Sequence, residues 1–328
     1  MNKTKRFQEQ NYMFGCMLIN NQSMKRTLKI LCLVLIPVSL SAQLAPVTNQ
    51  YILNMVTINP AYTGVRGDLN IAALYRKQWV GIQGSPETTT FTADAAVLEN
   101  KVGLGLNMVI DKIGVTRENY ITTNYSYIID IGEGTLSFGL GAGIITTNTA
   151  WSDLVVLDPG DELYLADSRR FVVPSFSFGT YYTKRNYFLG FSIPKFFGYK
   201  FNYDKNKYSV TVDPDQYTFL LYTGYAFEMS PRTSFIPSTL LNYSPGRKLL
   251  IDLNANFNFN KRFMIGGSYR NGRSIGALLQ LRVNNQLNVA YTYDFDTGDL
   301  KGYSNGSHEV MLRYEFRYKV HVVDPLIF

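Results

Sequence analysis

The chain has 328 residues, of which 17% are charged and 14% are aromatic, and its formal net charge is +7 at neutral pH. Charged residues usually make up about a quarter of a soluble protein, so this charge-poor chain with 24 Tyr and 21 Phe is typical of a transmembrane β-barrel. A soluble β-sandwich would also tolerate this composition. An enzyme is not expected, because the sequence has no P-loop and no pair of ligands at zinc spacing.

The start of the chain carries the pattern of an export signal. A basic stretch at residues 24–29 is followed by an apolar run, residues 30–38, and by a small-residue cleavage region, residues 39–42. This order predicts a secretory signal peptide over residues 24–42, which is too short to cross a bilayer as a mature helix. We expect residues 1–23 to be an over-long gene start.

Removal of the signal peptide changes what the cysteines and the charge imply. Both cysteines, Cys16 and Cys32, would be lost, so the mature chain should hold no disulfide and no thiolate zinc site. Residues 1–42 together contain six of the 32 basic residues and one of the 25 acidic residues, so their loss leaves a net charge of +2. We therefore predict no nucleic-acid partner, and no cofactor or metal site.

Two regions follow the signal peptide. Residues 43–66 lack strand alternation and contain Pro46, Pro60 and Gly64, so we expect an N-terminal periplasmic or plug-like segment there. Residues 67–328 are expected to form an outer-membrane β-barrel.

The barrel prediction comes from a repeated period of two. In residues 102–110, Val, Leu, Leu, Met and Ile alternate with glycine, asparagine and valine, which indicates a strand with one apolar face. About fourteen such runs have the length that a tilted membrane strand needs. They are residues 69–77, 89–97, 102–110, 121–129, 136–146, 172–182, 187–193, 217–227, 235–243, 249–257, 263–270, 275–282, 287–294 and 310–320. The ninth run contains Pro237, which removes one ladder hydrogen bond and makes this run the least regular.

The connections between these runs alternate in length. If both termini are periplasmic, every second connection should be a short periplasmic turn, and residues 98–101, 130–135 and 183–186 fit that rule. The long connections, such as residues 147–171 and 194–216, then all lie on the outer side. A soluble sandwich has no reason to sort its loops in this way, so the fold expected is an all-β, antiparallel transmembrane barrel of about 14 strands in the outer membrane.

The face that points into the barrel should be polar. It includes many glycines, among them Gly139, Gly141 and Gly143, which favour close packing on the inner wall rather than a dinucleotide loop. By alternation, Arg313, Glu315 and Arg317 share this face, and we expect them to pair inside the barrel. The sequence leaves open whether the interior is a narrow pore or is filled by side chains and by residues 43–66.

Two acidic stretches are candidates for outer-loop sites. The run from Asp294 to Asp299 has the spacing of a calcium turn but lacks the later Glu of an EF-hand, so an exposed acidic loop is the expectation. The other group lies in the long connection 147–171 and is either a solvated surface or a docking surface for an exported partner. Its members are Asp158, Asp161, Glu162 and Asp167.

The stretch QYILNMVTINPAYTG, residues 50–64, resembles the opening signature of the PorP/SprF family of Bacteroidetes outer-membrane proteins. The resemblance lies mainly in the NPAYTG core, and Trp79 after the first strand also fits. It implies a role in type IX secretion and gliding, with secretion-machine components and a secreted cargo protein or adhesin as partners. The candidate interaction motif comprises Asn59, Pro60, Ala61, Tyr62 and Gly64.

The sequence does not support an enzyme, and two other functions therefore remain. The first is a non-enzymatic outer-membrane barrel that binds secretion components or a cargo, with outer-membrane lipid around it. The alternative is a general diffusion channel for small solutes, which would need an open lumen.

Overall fold

The computed structural model describes residues 49–153, 170–196, 198–202, 207–211 and 214–316. The predicted signal peptide and gene start lie outside these residues. Within the described ranges, no helix is long and apolar enough to cross a bilayer. The helical pieces are short 3₁₀ turns at Asn49–Ile52, Met55–Thr57, Pro60–Tyr62, Trp151–Asp153 and Pro214–Gln216.

Strands make up most of the described chain. In chain order they are β1 (Leu69–Lys77), β2 (Glu87–Val97), β3 (Val102–Ile113), β4 (Thr116–Ile131), β5 (Gly134–Thr149), β6 (Phe171–Lys184), β7 (Tyr187–Ile193), β8 (Gly198–Asn202), β9 (Lys207–Thr211), β10 (Phe219–Tyr225), β11 (Phe227–Ser230), β12 (Thr233–Tyr243), β13 (Leu250–Phe259), β14 (Phe263–Arg270), β15 (Ser274–Arg282), β16 (Leu287–Asp296) and β17 (Ser307–Phe316). Every one of the predicted runs is a strand, although residues 317–320 of the last run lie outside the described residues. The β8–β9 hairpin, which lies within a long connection, was not predicted.

The sheet closes on itself as an antiparallel barrel. Each barrel strand pairs with the next along the chain, β1 pairs with β17, and β10 pairs with both β7 and β12. Since β10 and β11 are two parts of one strand on the same side of β12, the ring has 14 strands. The predicted fold class is confirmed.

The break between β10 and β11 has a cause on the neighbouring strand. Gly224 pairs with Ser238, and pairing resumes at Phe227 opposite Phe235. Pro237 of β12 lies opposite this gap and has no N–H to donate to the ladder. The ladder therefore opens at Ala226, whose N–H instead donates to the Asn186 carbonyl at 2.8 Å.

The two faces of the barrel wall have opposite polarity. On β13, Leu253 is 51% exposed, whereas its neighbours Asp252 and Asn254 are 6% and 9% exposed. The same outward apolar pattern holds for Leu104, Leu140 and other residues around the ring. A soluble barrel would bury its apolar face, so this wall is built for contact with lipid, as in a transmembrane barrel.

The two ends of the barrel differ in their connections. At one end, here called the short-turn end, the strands are joined by two to four residues each: 98–101, 132–133, 185–186, 231–232, 260–262 and 283–286. The other end, the long-loop end, carries residues 150–170 and 194–218 as well as several shorter connections. The predicted sorting of connection lengths is confirmed at the short-turn end.

Candidate functional site

The interior of the barrel is occupied by residues 49–66, here called the plug segment. It contacts strands on all sides of the ring, including β2, β5, β6, β13 and β17, so it lies within the barrel. Residues 50–66 are buried except for the half-buried Thr57, and Met55, Asn59 and Tyr62 each have 0% exposure. Together with inward-facing residues of the wall, the plug segment forms the hydrophobic core of the molecule.

The first part of the plug segment is held by polar groups of three different strands. The Gln50 backbone N–H donates to Glu309 Oε1 at 2.9 Å, and the Gln50 side chain donates to the Glu309 carbonyl at 3.1 Å. Asn254 of β13 donates to the Tyr51 hydroxyl at 2.7 Å. Asn54 donates to Thr92 Oγ1 of β2 at 2.9 Å. β2 and β17 flank β1, and β13 lies four strands from β17, so the segment is held at two separate parts of the wall.

The NPAYTG motif forms a capped 3₁₀ turn at the short-turn half of the barrel. Asn59 is the N-cap, and its Oδ1 accepts from the Ala61 N–H at 2.8 Å. Pro60 suits the first position because that position needs no N–H donor. The Asn59 amide also donates to the Thr180 carbonyl at 2.9 Å and to the Tyr222 hydroxyl at 3.0 Å. One side chain therefore both shapes the turn and attaches it to the wall.

At three points where this turn approaches the wall most closely, the wall residue is a glycine. A Cβ on Gly103 would lie 2.0 Å from the Thr63 carbonyl oxygen, and one on Gly139 would lie 2.1 Å from the Ala61 nitrogen. A Cβ on Gly179 would lie 1.9 Å from Asn59 Oδ1. No real Cβ approaches other atoms so closely, so only glycine lets the plug backbone lie against the strand backbone.

Three serines of the same wall satisfy the carbonyls of the turn. Ser126 donates to the Thr63 carbonyl at 2.6 Å, and Ser137 donates to the Ala61 carbonyl at 2.6 Å. On β7, Ser192 donates to the Ile58 carbonyl at 2.7 Å. The short 3₁₀ turn provides no backbone N–H group for these carbonyls. Burying each of them without a hydrogen bond would be costly.

Gly64 ends the motif at a point where the backbone must turn sharply. Its φ is +75°, and a Cβ there would lie 2.6 Å from the Cα of Gly103. Its N–H donates to Asp94 Oδ2 at 3.0 Å. A hydrogen bond to a buried carboxylate is stronger than one between neutral groups, so Asp94 is a principal anchor of the segment.

Buried charged residues hold the end of the plug segment that leads into β1. Arg66 lies 3.4 Å from Glu315 Oε1 and donates to the Leu53 carbonyl at 2.7 Å. Arg313 donates to the same carbonyl at 2.7 Å, and its Nε lies 3.0 Å from Glu315 Oε1. The predicted pairing of Arg313 with Glu315 inside the barrel is therefore confirmed, while Arg317 lies outside the described residues.

A second buried ion-pair group lies closer to the long-loop end. Arg76 contacts Glu309 Oε2 at 2.6 Å and Asp294 Oδ2 at 3.1 Å. Asp294 thus faces inward and balances an arginine, so the expectation of an exposed acidic loop is wrong at this residue. Among the described residues, no cluster of His, Cys, Asp and Glu could hold a metal ion.

Aromatic packing surrounds the motif on its other side. The rings of Tyr62 and Tyr181 meet edge to face with centroids 5.0 Å apart. Tyr181 in turn packs on Phe188 at 6.5 Å and on Tyr222 at 6.2 Å. Such pairs add stability beyond the area they bury, so the short-turn half of the lumen is closed by a packed core.

The structure brings one group of predicted site residues together. Asn59, Pro60, Ala61, Tyr62 and Gly64 are buried in one continuous turn inside the barrel. The acidic group proposed for docking, Asp158, Asp161, Glu162 and Asp167, lies outside the described residues.

Sequence reasoning missed most of the groups on the wall that hold the motif. Gly139 was expected to face inward but was not assigned a partner, and Asp94 and Glu309 were not singled out. The signal was present only as small residues at alternate strand positions, such as Ser137, Gly139 and Gly141.

A family model described as "Type IX secretion system membrane protein PorP/SprF" matches residues 40–314. The search of curated proteins gave no match.

Similar solved structures include the outer membrane protein Omp33 of Acinetobacter baumannii, the CymD monoaromatic hydrocarbon channel and the toluene transporter TbuX of Ralstonia pickettii. In that order, the sequence identities are 7%, 11% and 7%, and the TM-scores are 0.44, 0.46 and 0.47. The alignments cover 77%, 83% and 83% of this chain and 98%, 94% and 94% of the matched chains.

Proposed function

Because the chain belongs to the PorP/SprF family of type IX secretion system membrane proteins, as its N-terminal motif predicted, we propose that it is a plugged, non-enzymatic barrel of that machinery. In this role it binds machine components or a specific cargo at the outer membrane, so that the cargo is exported or displayed on the cell surface. The short-turn end faces the periplasm and the long-loop end faces outward, in line with the usual asymmetry of outer-membrane barrels.

The filled lumen is the observation that supports a binding role most strongly. Asn59 and Gly64 fix the plug segment through hydrogen bonds to β2, β6 and β10, and glycines of the wall receive its backbone. Solute diffusion would require this packed segment to leave. A rigid barrel with a fixed interior is better suited to present its long outer loops and its periplasmic turns to other proteins.

A small-solute channel is the second candidate, and one observation favours it. Buried polar atoms on the inner wall, among them Asn256 Nδ2, Gln280 Oε1 and Thr292 Oγ1, have no protein partner and are suited to contact water. Planar-bilayer recordings separate the two candidates. Steady conductance by the intact chain would support the channel, whereas silence would support the plugged binding protein.

The secretion role is tested by deleting the gene and following exported and surface-displayed proteins. We expect a specific cargo to accumulate in the periplasm or to be lost from the surface, with rescue by the intact chain. Normal secretion and display of all cargo after deletion would refute the proposal.

Complementation also tests whether the outer acidic group docks the cargo. A chain with Asp158, Asp161, Glu162 and Asp167 changed to their amides should fail to restore display while it still reaches the membrane. The matched control is Asp299→Asn, since Asp299 is an exposed acid in the connection between β16 and β17. Equal rescue by both variants would remove the acidic group from the docking surface.

A further inference from the structure

Three exposed cations lie side by side at the short-turn end. Arg232 is in the turn between β11 and β12, and Lys261 and Arg262 are in the turn between β13 and β14. The two turns touch, because the Asn260 N–H donates to the Arg232 carbonyl at 2.6 Å. We call Arg232, Lys261 and Arg262 the basic rim.

The basic rim lacks the counter-charge that the neighbouring turn between β6 and β7 possesses. In the turn between β6 and β7, Lys184 and Arg185 lie 3.5 Å and 3.1 Å from the carboxylate of Glu133. Among the described residues, no carboxylate lies within ion-pair distance of the basic rim. Clustered like charges without a partner repel one another and attract an anion.

The backbone holds the central cation in a defined place. Asn260 and Lys261 both have a φ of +54°. Two successive positive φ values are those of a type I′ hairpin turn, the tight connection that suits the twist of paired strands. A tight turn therefore sets the backbone position from which Lys261 projects.

The apolar, lipid-facing surface of the wall starts at the strand residues next to these cations. The rings of Phe235 and Phe257 stack at 4.7 Å, and those of Phe259 and Phe263 lie 6.2 Å apart. On the adjoining strand, Leu281 is 49% exposed. Cations at the edge of such a wall lie at headgroup level, where basic residues bind anionic lipids.

We propose that the basic rim binds the headgroup of an anionic phospholipid of the inner leaflet, with its acyl chains lying along the wall near Phe257 and Phe263. The continuity of charge and apolar surface favours a lipid over a soluble acidic partner, which would need no apolar surface beneath the cations. This inference goes beyond the secretion role, but its assignment to the inner leaflet rests on the proposed orientation.

To test the proposal, the purified full chain is mixed with equal amounts of phosphatidylglycerol and phosphatidylcholine. Native mass spectrometry then measures the ratio of the two lipids that remain bound. Each cation near an anionic surface contributes roughly fivefold in binding. The variant Arg232→Gln/Lys261→Gln/Arg262→Gln should therefore lose on the order of a hundredfold in its preference for phosphatidylglycerol. The single variant Lys261→Gln should lose about fivefold, and it provides the answer if the triple variant does not fold.

The control is Lys184→Gln/Arg185→Gln at the neighbouring turn between β6 and β7, which should change the preference much less than the triple variant does because Glu133 offsets one of these two cations. Folding of every variant is checked by its heat-dependent migration on a gel. An unchanged lipid preference in the rim variants would overturn the proposal. Equal loss in the control, or full displacement of the lipid by inorganic phosphate, would also overturn it.

Discussion

Gly139→Ala should weaken the attachment of the plug segment. The new Cβ would lie 2.1 Å from the Ala61 nitrogen and 2.3 Å from the Pro60 carbonyl carbon, and both are backbone atoms that cannot rotate away. Overpacking of this kind costs about 1–3 kcal/mol. The shift also strains the hydrogen bond from Ser137 to the Ala61 carbonyl, worth about 1 kcal/mol. The total of about 2–4 kcal/mol raises the population of displaced plug roughly 30- to 900-fold.

Thiol labelling measures that population. Met55 is fully buried in the plug segment, so a cysteine placed there by Met55→Cys should react with a bulky maleimide only when the segment leaves its site. Labelling at position 55, located by peptide mass, should accelerate in Gly139→Ala by the factor given above.

The matched control for this experiment is Gly267→Ala. Gly267 is also in a barrel strand, but a Cβ there would meet nothing closer than the Gly276 carbonyl at 3.8 Å. Labelling in this control should match that of the unsubstituted wall. If Gly139→Ala labels within about twofold of Gly267→Ala, the claim that backbone contact holds the plug is wrong.

Three further predictions follow from the same structure. Asp94→Asn removes the charged acceptor of the Gly64 N–H and should cost about 1.5–3 kcal/mol of plug attachment, read by the same labelling assay; an unchanged rate would remove Asp94 as an anchor. Deletion of residues 49–65 should turn a silent barrel into one with steady conductance in planar bilayers, and continued silence would mean that other groups close the lumen. Leu253→Arg puts a cation on the lipid-facing wall and should lower folding stability in vesicles by about 2–4 kcal/mol, whereas Leu249→Arg, just before the start of β13, should cost about 0–1 kcal/mol; equal losses would contradict the lipid-facing assignment.

The strands could be predicted because their pattern is local. Each run alternates polar and apolar residues with a period of two, and this period is imposed by the environment of the wall at every position. The break at Ala226 could not be predicted in this way, because its cause is Pro237 on a neighbouring strand. The pairing that relates the two positions is absent from the local pattern.

The contacts of the NPAYTG motif could not be predicted from the sequence for a related reason. The sequence indicated that Asn59 and Gly64 belong to a tight turn, and the turn chemistry is local. Their partners Thr180, Tyr222 and Asp94 are distant in sequence, and a single sequence carries no information on which inward-facing residue meets which part of the plug segment.

The position of the plug segment constrains how the molecule is assembled. Only Gly67 and Asp68 separate it from β1, the strand that seals the ring by pairing with β17. The pairing of β1 with β17 therefore closes the barrel around a plug segment that is covalently attached to β1. A finished empty barrel has no lateral gap through which the segment could be threaded, so a peptide of this sequence supplied separately after closure should not replace the tethered original.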